Sequence, residues 1–362
     1  MKAFRSLAAL AIFAALATLG LASCAWAPIP GTPCAAPDEA CWRTALEAHP
    51  VRRAAFWQDA LARAPADRVG SAPPELVEYM LWDNLQHGYP ERPRAAVLEP
   101  EFLADVRAAM ADLPASVRNL FDKSLLGIYM LEDLGGTGFT DAGRDPSANR
   151  PLGGFIVLDA AVLRQRTANQ WATWKENTPF RPSPDWQLRA RIEEGAQDSR
   201  RNAIQYILLH ELGHVLSIGR DVHPPFYQDT KDLPPGARFP FFEQSWRLDR
   251  EREKELVLPA QDFPQRASVS YYFGAKLDAA DMAPTYANLA KTNFPSLYAA
   301  TRGGDDFAEA FASYVHVVLM KRPWEITISR GGETVTTFRA CWDEPRCAGK
   351  RALLERILQR AD

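Results

Sequence analysis

The pentad His-Glu-Leu-Gly-His at residues 210–214 constrains the fold of this chain more than any other feature. Residues four apart in a helix lie one turn apart on the same face, so His210 and His214 can bind a single metal ion. Glu211 then places a carboxylate beside that ion. Apolar residues surround the pentad and stop at Gly219, a distribution that predicts a buried helix. The sequence therefore predicts a core helix that carries a metal site.

A third ligand must come from elsewhere, because catalytic zinc sites use three protein ligands and keep a fourth position for water or substrate. Residues 304–314 predict a second helix, on which Asp305 and Glu309 lie one turn apart, off the apolar face. One carboxylate can bind the metal while the other accepts the ring N–H of a ligand histidine. We expect Asp305 to be the ligand and Glu309 the supporting carboxylate, with Glu309 as the alternative ligand. His223 is a further alternative, although it lies outside the pentad helix.

The pentad, followed at a distance by Asp-Asp-Phe-Ala-Glu-Ala-Phe at residues 305–311, resembles the gluzincin zinc metallopeptidases. More narrowly, it resembles the anthrax lethal factor-like peptidases, in which a tyrosine precedes the acidic ligand by seven residues and a second glutamate follows it by four. Tyr298, Asp305 and Glu309 have this spacing. The family ligand is normally glutamate, whereas this chain has the shorter aspartate. The resemblance implies a zincin-like fold, Zn²⁺ as cofactor and a Tyr298 hydroxyl that binds the oxyanion; plain packing is the alternative role of Tyr298.

With Zn²⁺ bound, Glu211 is expected to take a proton from the zinc-bound water and to deliver it to the departing amine. The predicted function is a zinc-dependent metalloendopeptidase that hydrolyses proteins or peptides of the bacterial cell envelope. The alternative is a non-catalytic zinc-binding lipoprotein that binds a partner or has a structural role, against which the presence of Glu211 argues. A peptide substrate is expected to add a strand to an exposed sheet edge, for which residues 154–159 are the candidate, with an ordinary buried strand as the alternative.

The N-terminus has the pattern of a secretory signal, because basic residues precede an apolar run at residues 7–21 that ends in small residues. The run Leu-Ala-Ser-Cys at residues 21–24 resembles a bacterial lipobox, which predicts a signal peptide at residues 1–23 and lipidation of Cys24. The rival is ordinary cleavage after the small residues at 25–27. The lipobox predicts an exported protein anchored by lipid in the cell envelope, on the periplasmic or surface face of the outer membrane.

Four further cysteines form an even set, which in an exported chain predicts two disulfides. They are Cys34, Cys41, Cys341 and Cys347. Pairing of neighbours is the simplest arrangement, whereas bridges between the two pairs would tie the chain ends together, and the sequence does not choose. Neither pair has the C-x₂-C spacing of zinc ribbons, so metal binding by these cysteines is disfavoured.

The chain as a whole predicts an α+β protein. Apolar, β-rich runs at residues 125–131 and 154–159 flank a Gly- and Asp-rich connection and predict two strands of one sheet. Gly331 and Gly332 between β-branched residues predict a hairpin. The expected organisation is a linker at 24–36, a mainly helical region at 37–123 with helices at about 37–49, 51–64, 74–87 and 100–123, and a zincin-like metallopeptidase domain at 124–362.

Charge excludes one class of partner. Without Lys2 and Arg5 of the predicted signal, the chain has 40 basic against 45 acidic side chains and no long basic run. Nucleic acid is therefore not an expected partner. The expected partners are a peptide or protein substrate and the membrane, through the lipid at Cys24.

Overall fold

The computed structural model describes residues 32–35, 38–145 and 150–359, so the predicted signal peptide, Cys24 and most of the predicted linker lie outside the described residues. The helices are α1 Glu39–Ala48, α2 Gln58–Leu61, α3 Pro74–Gln86, α4 Pro100–Ala111, α5 Ala115–Arg118, α6 Ala160–Leu163, α7 Ala168–Asn177, α8 Arg200–Ser217, α9 Met282–Leu289, α10 Gly303–Tyr314 and α11 Ala348–Gln359. The strands are β1 Val69–Ser71, β2 Arg94–Ala95, β3 Leu125–Glu132, β4 Gly138–Asp145, β5 Arg150–Asp159, β6 Trp186–Arg191, β7 Trp246–Asp249, β8 Lys254–Val257, β9 Glu325–Arg330 and β10 Glu333–Arg339.

The largest sheet has five strands, in the order β1-β3-β5-β4 with β2 also paired to β3. Strands β1, β3 and β5 are parallel, while β4 runs antiparallel to β5. The two predicted strands of one sheet, β3 and β5, are confirmed. The prediction that residues 154–159 form an exposed edge is wrong, because β5 lies between β3 and β4. The edge strand is β4, whose glycines, aspartates and arginine give it little intrinsic strand preference.

Helices cover both faces of this sheet, which explains why β3 and β5 are continuous apolar runs instead of alternating ones. Successive residues of β5 point to opposite faces. Ile156 and Leu158 pack in the cluster that contains side chains of α4, α7 and α8. Phe155 and Val157 pack in the other cluster, with side chains of α1 and α3. The sheet therefore lies in the core and presents one face to the pentad helix.

The N-terminal helices differ in part from the predicted ones. Helices α3 and α4 begin with proline at the first turn, where the missing N–H is not needed. The helix predicted at 100–123 is interrupted, because Pro114 restricts the preceding residue and lacks the N–H that a continuous helix requires. Residues 51–64 form short 3₁₀ turns and α2 instead of one helix.

Both predicted disulfides are present, and each joins neighbouring cysteines: Cys34 to Cys41 and Cys341 to Cys347. The predicted hairpin at the two glycines is confirmed as β9 and β10, which continue into a three-stranded antiparallel sheet with β6. Helices and small sheets together give the mixed composition that an α+β protein has. Among the described residues, no helix combines the length and the apolar character that crossing a bilayer requires.

Candidate metal centre

The side chains of His210, His214 and Asp305 converge where α8 and α10 pack together. The Nε2 atoms of the two histidines are 3.2 Å apart. Asp305 Oδ1 lies 3.6 Å from His214 Nε2 and 3.9 Å from His210 Nε2. Ligand atoms of a tetrahedral zinc site are about 3.3 Å apart, because each bond is about 2.0–2.1 Å long. The three donors therefore fit one small divalent ion, and two imidazoles with one carboxylate suit Zn²⁺ as well as other first-row metals.

The close approach of the two helices depends on Gly213, the fourth residue of the pentad. A Cβ at this position would lie 2.7 Å from the Cα of Ala308 on α10, which is shorter than real contacts allow. Helix α8 begins at the cap Ser199, whose side chain accepts from Asn202 N–H, and it ends before Gly219, which has a φ of 72°. The end at Gly219 agrees with the sequence prediction.

Asp305 lies in the first turn of α10, where its carboxylate faces the histidine pair. Burial by itself would raise the pKa of Asp305, but the hydrogen bond and charge of His214 outweigh burial, and the pKa is lowered. Thr301 Oγ1 also lies 3.3 Å from Asp305 Oδ2. The aspartate is therefore held as a carboxylate by the groups around it, in the form that binds a metal.

Glu309 lies behind His210 and is not part of the cluster of ligand atoms. Its Oε1 is 3.1 Å from His210 Nδ1, although the ring N–H is not aimed straight at that oxygen. Its Oε1 also accepts from Lys175 Nζ at 2.9 Å, and its Oε2 accepts from Ser296 Oγ at 2.7 Å. Burial opposes ionisation, but the charge of Lys175 and the contact with His210 outweigh it and lower the pKa of Glu309.

Lys175 and Glu176, in the last turn of α7, were not predicted as part of this region. The hydroxyls of Tyr271 and Tyr286 donate to Glu176 Oε2 at 2.8 and 2.7 Å. Burial lowers the pKa of Lys175, but Glu309 and then Glu176 raise it above its ordinary value. The sequence does contain a signal, since both charges fall on the helical face that also carries Ala168, Trp171 and Ala172.

Glu211 points toward the edge strand β4. Its Oε2 accepts a hydrogen bond of 2.7 Å from Thr140 Oγ1. A Cβ at Gly138 would lie 2.5 Å from Glu211 Oε1, so the strand passes directly beside this carboxylate. The sequence predicts neither Thr140 nor Gly138 as site residues, because both lie in the Gly- and Asp-rich connection, which has little strand preference.

Tyr298 lies in a 3₁₀ turn just before α10. Its ring centroid is 5.4 Å from that of His210, and Lys175 Nζ lies 4.5 Å from the ring centroid. Burial raises the pKa of Tyr298 well above its ordinary value, so the hydroxyl stays protonated and can act as a donor. Tyr298, Glu211 and Gly138 border a small cavity of about 30 Å³.

His223 does not join the ligands. Among the described residues, the group whose ligand atoms lie within 4.8 Å of one another consists of His210, His214 and Asp305. His223 Nδ1 donates to the carbonyl of Pro224 at 2.7 Å, and burial lowers the pKa of His223 to about 4. Its ring is therefore a neutral, buried group beside the site.

A cleft of about 500 Å³ lies beside the second half of β4. Strand β4 contributes Asp141 and Arg144 to its wall, and the loop after α8 contributes Phe226 and Tyr227. The ring of Phe226 is 6.1 Å from that of His214, and its side chain is partly exposed. The cleft thus lies on the face of β4 that carries Asp141, whereas Thr140 on the other face contacts Glu211.

The functional assignment rests on these distances, because comparison with known proteins suggests no function. The chain matches no protein-family model, no curated protein and no solved structure.

Proposed function

We propose that this protein is a zinc-dependent metalloendopeptidase with a zincin-like catalytic domain, which hydrolyses peptide bonds of proteins or peptides in the bacterial cell envelope. The observation that carries the proposal is the convergence of His210, His214 and Asp305 at 3.2–3.9 Å, with the Glu211 carboxylate on the same helix. A structural metal site has no need of a base. The gluzincin resemblance of the pentad and of residues 305–311 supports the same conclusion.

In this site, bound Zn²⁺ would polarise the scissile carbonyl and lower the pKa of a water molecule. Glu211, held by Thr140, takes the proton of the attacking water and passes it to the amine that leaves. The hydroxyl of Tyr298 donates to the oxygen on which negative charge develops. Each of these groups borders the same side of the pentad helix, next to β4.

Among the described strands, β4 pairs with β5 alone, and an isolated bridge from Arg53 meets it only at Arg144, so its edge at residues 138–143 supports a peptide substrate. An extended peptide gains main-chain hydrogen bonds when it adds a strand to such an edge. A peptide beside Gly138 and Thr140 would pass the Glu211 carboxylate. The proposed substrate is therefore an extended peptide segment.

The experiment compares the zinc-loaded protein with its Glu211→Gln variant on a peptide library, with products mapped by mass spectrometry. We expect cleavage by the unmodified protein, equal zinc content in both, and at least a 100-fold loss in the variant, on the order of the effect of a general base. Glu101→Gln, an exposed glutamate on α4, is the control and should cleave normally. Stoichiometric zinc without cleavage by the unmodified protein would favour the non-catalytic lipoprotein instead.

Export and lipid anchoring at Cys24 belong to the same proposal. The two disulfides support export, because such bonds persist in oxidising compartments. Mass analysis of the mature N-terminus tests the anchor. A diacylated Cys24 is the expected result, whereas an unmodified Pro28 at the N-terminus would show ordinary signal cleavage.

A further inference from the structure

Lys175 is a buried cation directly behind the candidate metal centre. Its side chain is 5% exposed, and its Nζ is 2.9 Å from Glu309 Oε1. The ammonium also lies 4.5 Å from the ring centroid of Tyr298 and 5.6 Å from that of Tyr271. A cation over the face of an aromatic ring is attracted by that ring. Its position is thus set by contacts on several sides.

The position of the Glu309 carboxylate, which Lys175 contacts, is fixed by its neighbours. Glu309 Oε1 is shared between Lys175 and His210 Nδ1, and Oε2 is occupied by Ser296. A second carboxylate, Glu176, lies 3.7 Å from Lys175 Nζ, so this one ammonium faces two carboxylates. The chain of contacts therefore runs from α7 through Glu309 to the ligand histidine.

We propose that Lys175 is a positioning residue of the metal centre, which fixes Glu309 behind His210 Nδ1 and so directs His210 Nε2 toward the metal. An imidazole whose Nδ1–H is held by a carboxylate presents the lone pair of Nε2 to a metal. Without Lys175, Glu309 would be an unpaired buried charge and would turn toward other donors or water. This inference rests on the proposed function, because it presumes that the site binds zinc.

A merely structural role of Lys175 is the competing explanation, and the molecule contains a matched control for it. Lys350 is also a buried lysine paired with a carboxylate of α10, at 2.6 and 2.8 Å from the oxygens of Asp306. Asp306 contacts Trp246 Nε1 on its other side, instead of a histidine of the pentad. Loss of Lys350 therefore removes a comparable ion pair without touching His210.

The experiment measures zinc affinity of the full chain by competition with a chromophoric chelator, for Lys175→Met and Lys350→Met. We expect Lys175→Met to lower the affinity about 10- to 100-fold, as loss of outer partners of metal ligands does. Lys350→Met should stay within about 3-fold of the unmodified protein, a limit below that range. The Co²⁺-substituted protein gives a second readout, since its visible spectrum should change in Lys175→Met only. Equal affinity of Lys175→Met and the unmodified protein, or an equal loss in Lys350→Met, would overturn the inference.

A double-mutant cycle keeps the test decisive if Lys175→Met folds poorly. Lys175→Met combined with Glu309→Gln removes both charges of this pair, and Glu176 keeps its hydrogen bonds from Tyr271 and Tyr286. If Lys175 acts through Glu309, the double variant binds zinc no more weakly than Glu309→Gln alone. If the double variant instead loses zinc affinity by the product of the two single factors, Lys175 acts by another route, and the inference is overturned. If the unmodified protein binds no zinc, the proposed function and this inference are both overturned. If it binds zinc but the variants do not behave as expected, only this inference is overturned.

Discussion

Two carboxylates of α10 each form a buried ion pair with a lysine, but the two pairs join α10 to different parts of the molecule. Asp306 with Lys350 joins α10 to α11, whereas Glu309 with Lys175 joins it to α7 and lies beside the candidate metal centre. In the first pair burial dominates, raising the pKa of Asp306 and lowering that of Lys350. In the second the charges outweigh burial, and the pKa of Glu309 is lowered.

The reason for this difference lies in the cationic neighbours. Lys175 and the His210 imidazole both lie beside Glu309 and favour its charge, whereas the cation that favours the charge of Asp306 is Lys350. Buried ion pairs by themselves are weak evidence for stability or for function. What distinguishes the second pair is that one of its oxygens is shared with an imidazole.

The largest expected effect concerns the pair that does not touch the site. Asp306→Ala leaves Lys350 buried without a partner and should lower the free energy of unfolding by about 3–5 kcal/mol, measured by urea denaturation. Zinc affinity of the folded fraction should be unchanged. Asp306→Leu combined with Lys350→Met should regain much of the stability, and a zinc loss in either variant would break the comparison.

The next effect distinguishes the two carboxylates that face α8. Asp305→Ala should weaken zinc binding by at least about 100-fold, beyond the 10- to 100-fold range typical of outer partners. Glu309→Ala should fall within that range, because it removes a support and not a ligand. Chelator competition measures both, and a larger loss for Glu309→Ala would make Glu309 the ligand.

The side of α10 that faces α8 should also be sensitive to volume. Gly213→Ala places a methyl group 2.7 Å from the Cα of Ala308, and we expect a loss of about 1–3 kcal/mol by thermal or urea denaturation. Gly70→Ala on β1 is the control, because nothing lies within 4 Å of its Cβ position. Similar stability of the two variants would show that the helices can separate freely.

The smallest effect is a difference in pH dependence. Glu309 has a lowered pKa in the fold, so its contribution to stability is present above its ordinary pKa of 4.5 and is lost as pH falls below it. Asp306 has a raised pKa, so its contribution has the opposite sign and declines as pH rises from 3.8. In acid titrations followed by urea denaturation, Glu309→Gln should flatten the loss of stability with falling pH, and Asp306→Asn should steepen it. Equal slopes would contradict the assigned directions.

Local patterns predicted the elements whose signals lie within one turn or one strand. The pentad helix, its end at Gly219, strands β3 and β5 and the hairpin at Gly331 all follow from spacing or from turn chemistry. Strand β4 was missed because its residues have weak strand preference and are held by pairing with β5. Because the sequence does not predict β4, it does not predict that Thr140 and Gly138 lie beside Glu211.

By itself the sequence determined which side chains are one helical turn apart: His210 with His214, and Asp305 with Glu309. Only the tertiary structure decided that Asp305 faces the histidines while Glu309 lies behind His210 beside Lys175. The physical reason is that helical periodicity acts over four residues, whereas Lys175 and Glu309 are 134 residues apart. Their contact depends on how α7, α8 and α10 pack, and on the glycine at 213 that lets two of these helices meet.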